Sequence, residues 1–74
     1  MLVTIKLFAA LRKGRFEAAT VEYREGTTVE EIIQELGIPQ DEITLIFING
    51  RHSNASAIVR EGDTIAFFPA AGGG

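Results

Sequence analysis

The chain has 74 residues, of which 46% are hydrophobic and 23% charged, so one folded domain near the lower size limit for a single core is expected. It contains no cysteine, which excludes disulfides, thiolate metal sites and catalytic or persulfide-carrying cysteines. Its formal net charge of -3 disfavours nucleic acid and anionic membranes as partners and mildly favours a basic partner. Because no stretch is typical of a membrane span or a secretion signal, the sequence predicts a cytoplasmic protein.

Two strands are predicted at the start of the chain. Residues 2–8 alternate apolar and polar side chains with the two-residue period of a half-buried strand, and residues 16–24 repeat this pattern. In the first strand, Phe8 is an aromatic residue on the otherwise polar face. The basic stretch 12–15 between the strands is typical of a solvated hairpin loop.

A helix is predicted next, because the period of the apolar residues changes. They recur at helical spacing as Val29, Ile32, Ile33 and Leu36. Thr28 and Glu31 have the spacing of a capping box at the start of the helix. Gly37 is typical of the position just after a helix, and Pro39 prevents the helix from continuing.

Three more strands are predicted in the second half. Residues 43–48 are almost uniformly apolar, which indicates a strand in the interior of a sheet. Asn49-Gly50 favours a hairpin with a type I′ turn, so residues 51–54 are predicted to form a short return strand. Residues 64–68 are predicted to form the last strand.

This order of elements predicts an α+β protein with the β-grasp fold, in which one helix packs on a mixed sheet of four to five strands. A single helix covers one face of such a sheet and leaves the other exposed. A right-handed crossover through the helix would make the first strand parallel to the third or the fifth. Residues 1–68 are assigned to this domain and residues 69–74 to a flexible glycine tail.

The exposed face is predicted to carry an apolar patch. Its expected members are Phe8, Ile46, Ile48, Ala66 and Phe68. Patches of this kind usually mark a partner site, although long loops or a homodimer could also cover this one. The tail begins where the patch ends, and the reactive group that it delivers is the α-carboxylate of Gly74.

Motifs for catalysis are missing from the sequence. No serine lies in a G-x-S-x-G motif, and His52 is the single histidine, which argues against a catalytic triad and a two-histidine metal site. The terminal glycines form no phosphate-binding loop, because no helix follows them. We therefore predict that the chain is not an enzyme on its own and binds no metal or cofactor.

Three stretches match a known family. They are Leu-Phe-Ala-Ala-Leu-Arg at 7–12, Asn49-Gly50, and Glu-Gly-Asp-Thr-Ile-Ala-Phe-Phe-Pro at 61–69 with the glycines that follow. Over nearly its whole length the chain resembles the MoaD/ThiS-type ubiquitin-like sulfur carriers, most closely the small subunit of molybdopterin synthase. The usual ending of that family is Phe-Pro-Pro-x-x-Gly-Gly, from which this chain departs at Ala70 and Gly72. Because the length of the ending is unchanged, we predict that no trimming is needed.

The resemblance implies a mechanism centred on Gly74. An E1-like adenylyltransferase of the MoaB/MoeB/ThiF type would use ATP to adenylate its carboxylate, and a sulfur donor enzyme would supply the sulfur for a thiocarboxylate. A MoaE-like large subunit would then take up the tail, and the thiocarboxylate would donate sulfur for molybdopterin in molybdenum or tungsten cofactor synthesis. The residues assigned to these partner interfaces are Phe8, Arg12, Phe68, Gly72 and Gly73, to which the predicted patch adds Ile46.

Three alternatives stay open at this point. The chain could carry sulfur for thiamine or cysteine synthesis, or it could be a ubiquitin-like modifier that is joined to lysines through Gly74. A β-grasp adaptor with an incidental tail is the third alternative.

Overall fold

The structure is a computed structural model that describes residues 1–70. Its strands and its α-helix are β1 (Leu2–Leu7), β2 (Ala18–Glu22), α1 (Val29–Leu36), β3 (Ile43–Ile48), β4 (Arg51–His52) and β5 (Thr64–Pro69). Two short 3₁₀ helices, Ala9–Arg12 and Gln40–Glu42, precede β2 and β3 respectively. The predicted interface residues Gly72 and Gly73 and the predicted reactive residue Gly74 lie outside the described residues.

The five strands form one mixed sheet in the order β2-β1-β5-β3-β4. The first and last strands are the central neighbours and run parallel, with Ile5 opposite Ile65 and Leu7 opposite Phe67. The pairs β1–β2, β3–β5 and β3–β4 are antiparallel. The predicted β-grasp arrangement is therefore confirmed, with β5 as the strand that lies parallel to β1.

The helix has the predicted limits and caps. Thr28 Oγ1 accepts a hydrogen bond from the Glu31 N–H at 3.3 Å, and the Glu31 carboxylate accepts one from the Thr28 N–H at 2.8 Å. Gly37 ends the helix in the left-handed conformation, with φ of 71°, and the Ile38 N–H donates to the Ile33 carbonyl. The residues that the sequence indicated thus form the capping hydrogen bonds at both ends of the helix.

The predicted basic loop also supports the helix. Arg15 donates from one guanidinium nitrogen to the Leu11 carbonyl at 3.2 Å and from the other to the Gly37 carbonyl at 3.3 Å. The last turn of α1 has no basic residue of its own, so Arg15 brings a positive charge to the negative end of the helix dipole. This loop is therefore more than a solvated connection.

The core lies between α1 and one face of the sheet. Its fully buried side chains are those of Val3, Ile5, Leu7, Leu11, Val29, Ile32, Ile33, Val59, Ile65 and Phe67. The strand and helix members follow the predicted periods. Leu11, from a 3₁₀ helix, and Val59, from the connection before β5, belong to segments whose sequence shows no period.

The turn between β3 and β4 is fastened to the start of β5. Asn49 and Gly50 have φ of 53° and 80°, as a type I′ turn requires. The Asn49 side chain accepts a hydrogen bond from the Thr64 N–H at 2.9 Å and donates to the Asp63 carboxylate at 2.8 Å. Two of the three stretches that carry the family resemblance therefore meet at one end of the sheet.

Several strand limits differ from the prediction. The second strand spans 18–22 instead of 16–24, and the return strand spans 51–52 instead of 51–54. The last strand continues one residue beyond the predicted limit, because Pro69 pairs with Ile43. A proline is compatible with this place because it ends the strand, beside a register shift in β3.

Candidate functional site

The face of the sheet that α1 leaves uncovered carries a row of ring side chains: Phe8, Phe68, Phe47 and His52. We call this row the aromatic strip. The rings of Phe8 and Phe68 are stacked, with their centroids 4.3 Å apart and their planes at 11°. Phe47 meets Phe68 edge to face at 5.6 Å, and His52 meets Phe47 edge to face at 5.7 Å. Both arrangements are favourable for aromatic pairs, so the strip is an ordered surface.

Arg12 closes the strip at the Phe8 end. Its guanidinium carbon lies 5.5 Å from the centroid of the Phe8 ring, within the range of a cation–π interaction. Its Nε donates to the Leu7 carbonyl at 2.8 Å, which fixes the orientation of the side chain. It also forms an ion pair with Glu17 at 4.0 Å, and 43% of its side chain is exposed. The guanidinium is therefore held in place while part of it stays open to a partner.

The strip follows from the pairing of the strands. Because Leu7 lies opposite Phe67 in the parallel pair, the next residues, Phe8 and Phe68, come side by side. In the antiparallel pair, Phe47 lies opposite the small side chain of Ala66. This leaves an open hollow of about 360 Å³, and the residues that line it are Lys6, Phe8, Phe47, Gly50, Thr64, Ala66 and Phe68.

The predicted patch is confirmed for Phe8, Ala66 and Phe68, which are partly exposed on this face. The prediction that Ile46 and Ile48 also lie on this face is wrong. These two lie opposite Phe67 and Ile65, both fully buried, and they pack against the core on the helix side. The argument that made Ile46 a partner residue of this face therefore fails.

Phe47 and Leu45 take the places that were assigned to Ile46 and Ile48. Leu45 is 40% exposed and lies opposite Phe68, and Phe47 belongs to the aromatic strip. Since every residue of β3 except one is apolar, no alternation in the sequence separates its two faces. The register with β5 decides the phase, and that register is a tertiary property.

The charge beside the strip differs from that of the chain. Two cations, Lys6 and Arg12, lie beside its phenylalanine rings, whereas residues 25–50 contain six carboxylates and neither lysine nor arginine. The net charge of -3 therefore does not describe the immediate surroundings of these rings. A partner that docks on the strip would present carboxylates, in contrast to the basic partner that the net charge favoured.

The chain leaves the sheet at the Arg12 end of the strip. The Phe8 N–H donates to the Phe67 carbonyl, so the 3₁₀ helix that carries Arg12 begins beside the last residues of β5. Phe68 belongs to the strip, and Ala70 is the last described residue. The segment that continues to Gly74 therefore starts next to the exposed aromatic surface.

Within residues 1–70, no three His, Cys, Asp or Glu side chains are placed to hold a metal ion. In the same part of the chain, no helix is long and apolar enough to cross a membrane.

The sequence was compared with known proteins. Residues 5–74 match the model of the ThiS family. Among curated proteins, no sequence matches it significantly.

Several solved structures are similar to the whole chain. The Pyrococcus furiosus protein described as molybdopterin converting factor subunit 1 is 24% identical, with a TM-score of 0.77 and coverage of 96% of this chain and 99% of that one. The small archaeal modifier protein 1 of Haloferax volcanii is 23% identical, with a TM-score of 0.75 and coverage of 95% and 98%. A chain from the complex of subunits 1 and 2 of the Helicobacter pylori molybdopterin-converting factor is 22% identical, with a TM-score of 0.64 and full coverage of both chains. At these identities the likeness shows the fold.

Proposed function

The chain belongs to the ThiS family, and from this premise we propose that it is a sulfur carrier that reacts through the carboxylate of Gly74. Its proposed role is that of the small subunit of a molybdopterin synthase. The observation that carries the proposal is that an ordered, exposed aromatic strip adjoins the strand that continues into Gly72, Gly73 and Gly74. The strip would dock the partner, and the tail would reach its active site.

The chemistry needs activation by a second protein. A carboxylate is a poor electrophile, because its leaving group would be oxide. An E1-like adenylyltransferase would join the Gly74 carboxylate to AMP and release pyrophosphate from ATP. Sulfide supplied by the donor enzyme would then attack the acyl carbon, displace AMP and, after losing its proton, leave a thiocarboxylate. The chain itself supplies no catalytic side chain, binds no cofactor and needs no cysteine for this sequence of steps.

The glycines suit a tail that must enter an active site. The last five residues, 70–74, are all alanine or glycine, so none carries a bulky side chain. Glycine has no side chain and accepts most backbone conformations, so such a segment can pass through a narrow channel. The partner would recognise the strip by apolar contact and Arg12 by a carboxylate of its own.

The large subunit is the proposed acceptor of the thiocarboxylate. Support comes from the Helicobacter pylori structure, which is a complex of subunits 1 and 2 of molybdopterin-converting factor. A MoaE-like partner of this chain would bind the aromatic strip and receive the tail.

A protein modifier is the second candidate. The observation that favours it is the structural likeness to the small archaeal modifier protein 1 of Haloferax volcanii. Adenylation of Gly74 would be common to both functions, and they would diverge at the next step, where a lysine amine instead of sulfur attacks the adenylate.

The deciding experiment measures intact mass. The chain is incubated with its E1-like enzyme, ATP and a sulfur source, beside a variant that lacks Gly73 and Gly74. A carrier gains the mass difference between sulfur and oxygen, and a modifier forms lysine-linked adducts. If the truncated variant reacts like the full chain, the proposal fails. Sulfur transfer to the pterin precursor by the large subunit then separates the molybdopterin function from thiamine or cysteine synthesis.

A further inference from the structure

A second apolar surface lies on the helix side of the sheet, between α1 and the outer edge of β3. It is a groove of about 220 Å³ lined by Ile33, Gln40, Ile43, Ile46 and Ala55. Ile33 is buried and forms its floor, whereas Ile43, Ile46 and Ala55 are partly exposed. Since one water takes about 30 Å³ in the liquid, the groove has room for one or two apolar side chains.

The groove borders a stretch of β3 that lacks a neighbour. On the side away from β5, β4 pairs with residues 47 and 48, and the Ser53 N–H donates to the Ile46 carbonyl as the next bond. The chain then turns away towards the start of the helix, where the Ala55 carbonyl accepts from the Glu30 N–H at 2.8 Å. Residues 43–45 therefore have no strand beside them on this edge within the described part of the chain. Such an edge is a template for an added strand.

The rim of the groove is acidic. Glu30 lies one helical turn before Ile33 and contacts Ala55 through its backbone, and Asp41 and Glu42 directly precede Ile43. All three side chains are exposed, and no described salt bridge involves them. Arg15, which reaches the end of the same helix, is hydrogen-bonded to the carbonyls of Leu11 and Gly37. Charge complementarity therefore selects a basic ligand.

We propose that this groove binds an extended segment of a partner protein in which apolar residues alternate with lysine or arginine. The segment pairs with the free edge of β3 and places alternate apolar side chains over Ile33 and Ile46, while its long cationic side chains lie at the end of the edge, where Asp41 and Glu42 precede β3. Because Ile43 lies opposite Pro69, the bound segment sits at the end of the sheet where β5 ends, and its apolar side chains lie on the face opposite to the aromatic strip. A partner could thus hold the chain at this edge as well as at the strip.

The test uses the full-length chain labelled with ¹⁵N and a synthetic probe, Lys-Val-Lys-Ile-Lys-Val-Lys. The expected result is a shift of the Thr44 and Leu45 amide signals and slower hydrogen exchange there. The matched control is the charge-reversed peptide with glutamate in place of each lysine, which should not bind. If neither peptide perturbs residues 43–46, or if both do so equally, the proposal is overturned.

Two variants localise the binding. Ala55→Leu fills the groove without removing a core side chain and should weaken binding by about tenfold or more, whereas Glu22→Gln on the far strand should leave it unchanged. The spectra of the unbound variants show whether each is folded. Equal affinity of Ala55→Leu and the parent chain would refute the groove as the site. This test does not involve Gly74. The proposal of a binding groove can therefore be wrong while the sulfur-carrier proposal is right, and the sulfur-carrier proposal can be wrong while the groove binds the probe.

Discussion

Phe67 and Phe68 are adjacent in β5 but belong to different parts of the molecule. Phe67 is completely buried beneath α1, whereas Phe68 lies in the aromatic strip on the opposite face. The difference arises because successive side chains of a strand point to opposite faces of the sheet. One dipeptide thus contributes to the stability of the fold through its first residue and to the proposed docking surface through its second.

The largest effect is expected when the buried member of this pair is truncated. Phe67→Ala removes a ring from the core and should lower the free energy of unfolding by about 3–5 kcal/mol. That is a large part of the 5–15 kcal/mol that is typical of a folded protein. Urea unfolding followed by circular dichroism measures the loss. If Phe68→Ala lowered the free energy of unfolding equally, the exposed residue would contribute as much to stability as the buried one, and the comparison would fail.

Truncation of the exposed Phe68 should have a small effect on stability and a large effect on partner affinity. Phe68→Ala loses its contacts with Phe8 and Phe47 and should cost about 0.5–1.5 kcal/mol of stability for each lost aromatic pair. Its affinity for the large subunit or the activating enzyme should fall by about 2 kcal/mol or more, as for a central aromatic anchor. Calorimetric titration measures the affinity.

Ile58→Ala is the matched control for Phe68→Ala. Ile58 is 54% exposed and lies in the connection before β5, bridged to Thr28, and it does not line the hollow beside Phe8, Phe47 and Phe68. This variant should bind as the parent chain does. If both variants lose affinity equally, the strip is not the docking surface.

Removal of the N-cap of α1 should have a smaller effect on stability, and this effect is confined to the helix side of the molecule. Thr28→Ala removes the side-chain acceptor for the Glu31 N–H and should lower stability by about 1 kcal/mol. Partner affinity should not change, because the cap is remote from the strip. Thr28→Ser keeps the hydroxyl and should restore most of the stability; failure of this rescue would assign the loss to something other than the cap.

The smallest effect at neutral pH is expected for Tyr23, which is buried beside the helix. Its hydroxyl has no hydrogen-bond partner within residues 1–70. Burial, and secondly the nearby Glu35 carboxylate, which lies outside hydrogen-bond geometry, raise the pKa of Tyr23 above its ordinary value. The neutral phenol is therefore favoured in the folded state. Its contribution is fully present below about pH 10, the pKa in the unfolded chain, and is lost progressively above it.

Tyr23→Phe tests this assignment. Because the substitution removes an unpaired polar group, stability at pH 7 should stay within about 1 kcal/mol of the parent or increase. The decline in unfolding free energy above pH 10 should become shallower, as urea titrations at several pH values would show. An unchanged alkaline slope would mean that another group titrates there.

The sequence predicted the helix to the residue, because period, caps and stop signals coincide at Thr28, Glu31 and Gly37. It also predicted the phases of β1 and β5. In β1, polar residues alternate with Ile5 and Leu7, and in β5 a polar and a small residue alternate with Ile65 and Phe67. It failed in β3, where both faces are apolar and the pairing with β5 alone decides which one the helix covers.

The proposed site was predictable in part. Phe8 and Phe68 followed from strand phase and from the family resemblance, but the participation of Phe47 depends on register. Leu11 and Val59 could not be assigned to the core, because irregular segments have no period to read. The groove beside β3 also escaped prediction, since it depends on how soon β4 ends.

The central claim is that the Gly74 carboxylate is the group that an activating enzyme adenylates. ATP–pyrophosphate exchange measures this step directly, with the E1-like enzyme and either the parent chain or a semisynthetic chain whose C-terminus is an amide. The two chains share the strip, the fold and every side chain, and differ at one functional group. We predict exchange with the free carboxylate and none with the amide. Equal exchange with both chains would contradict the account.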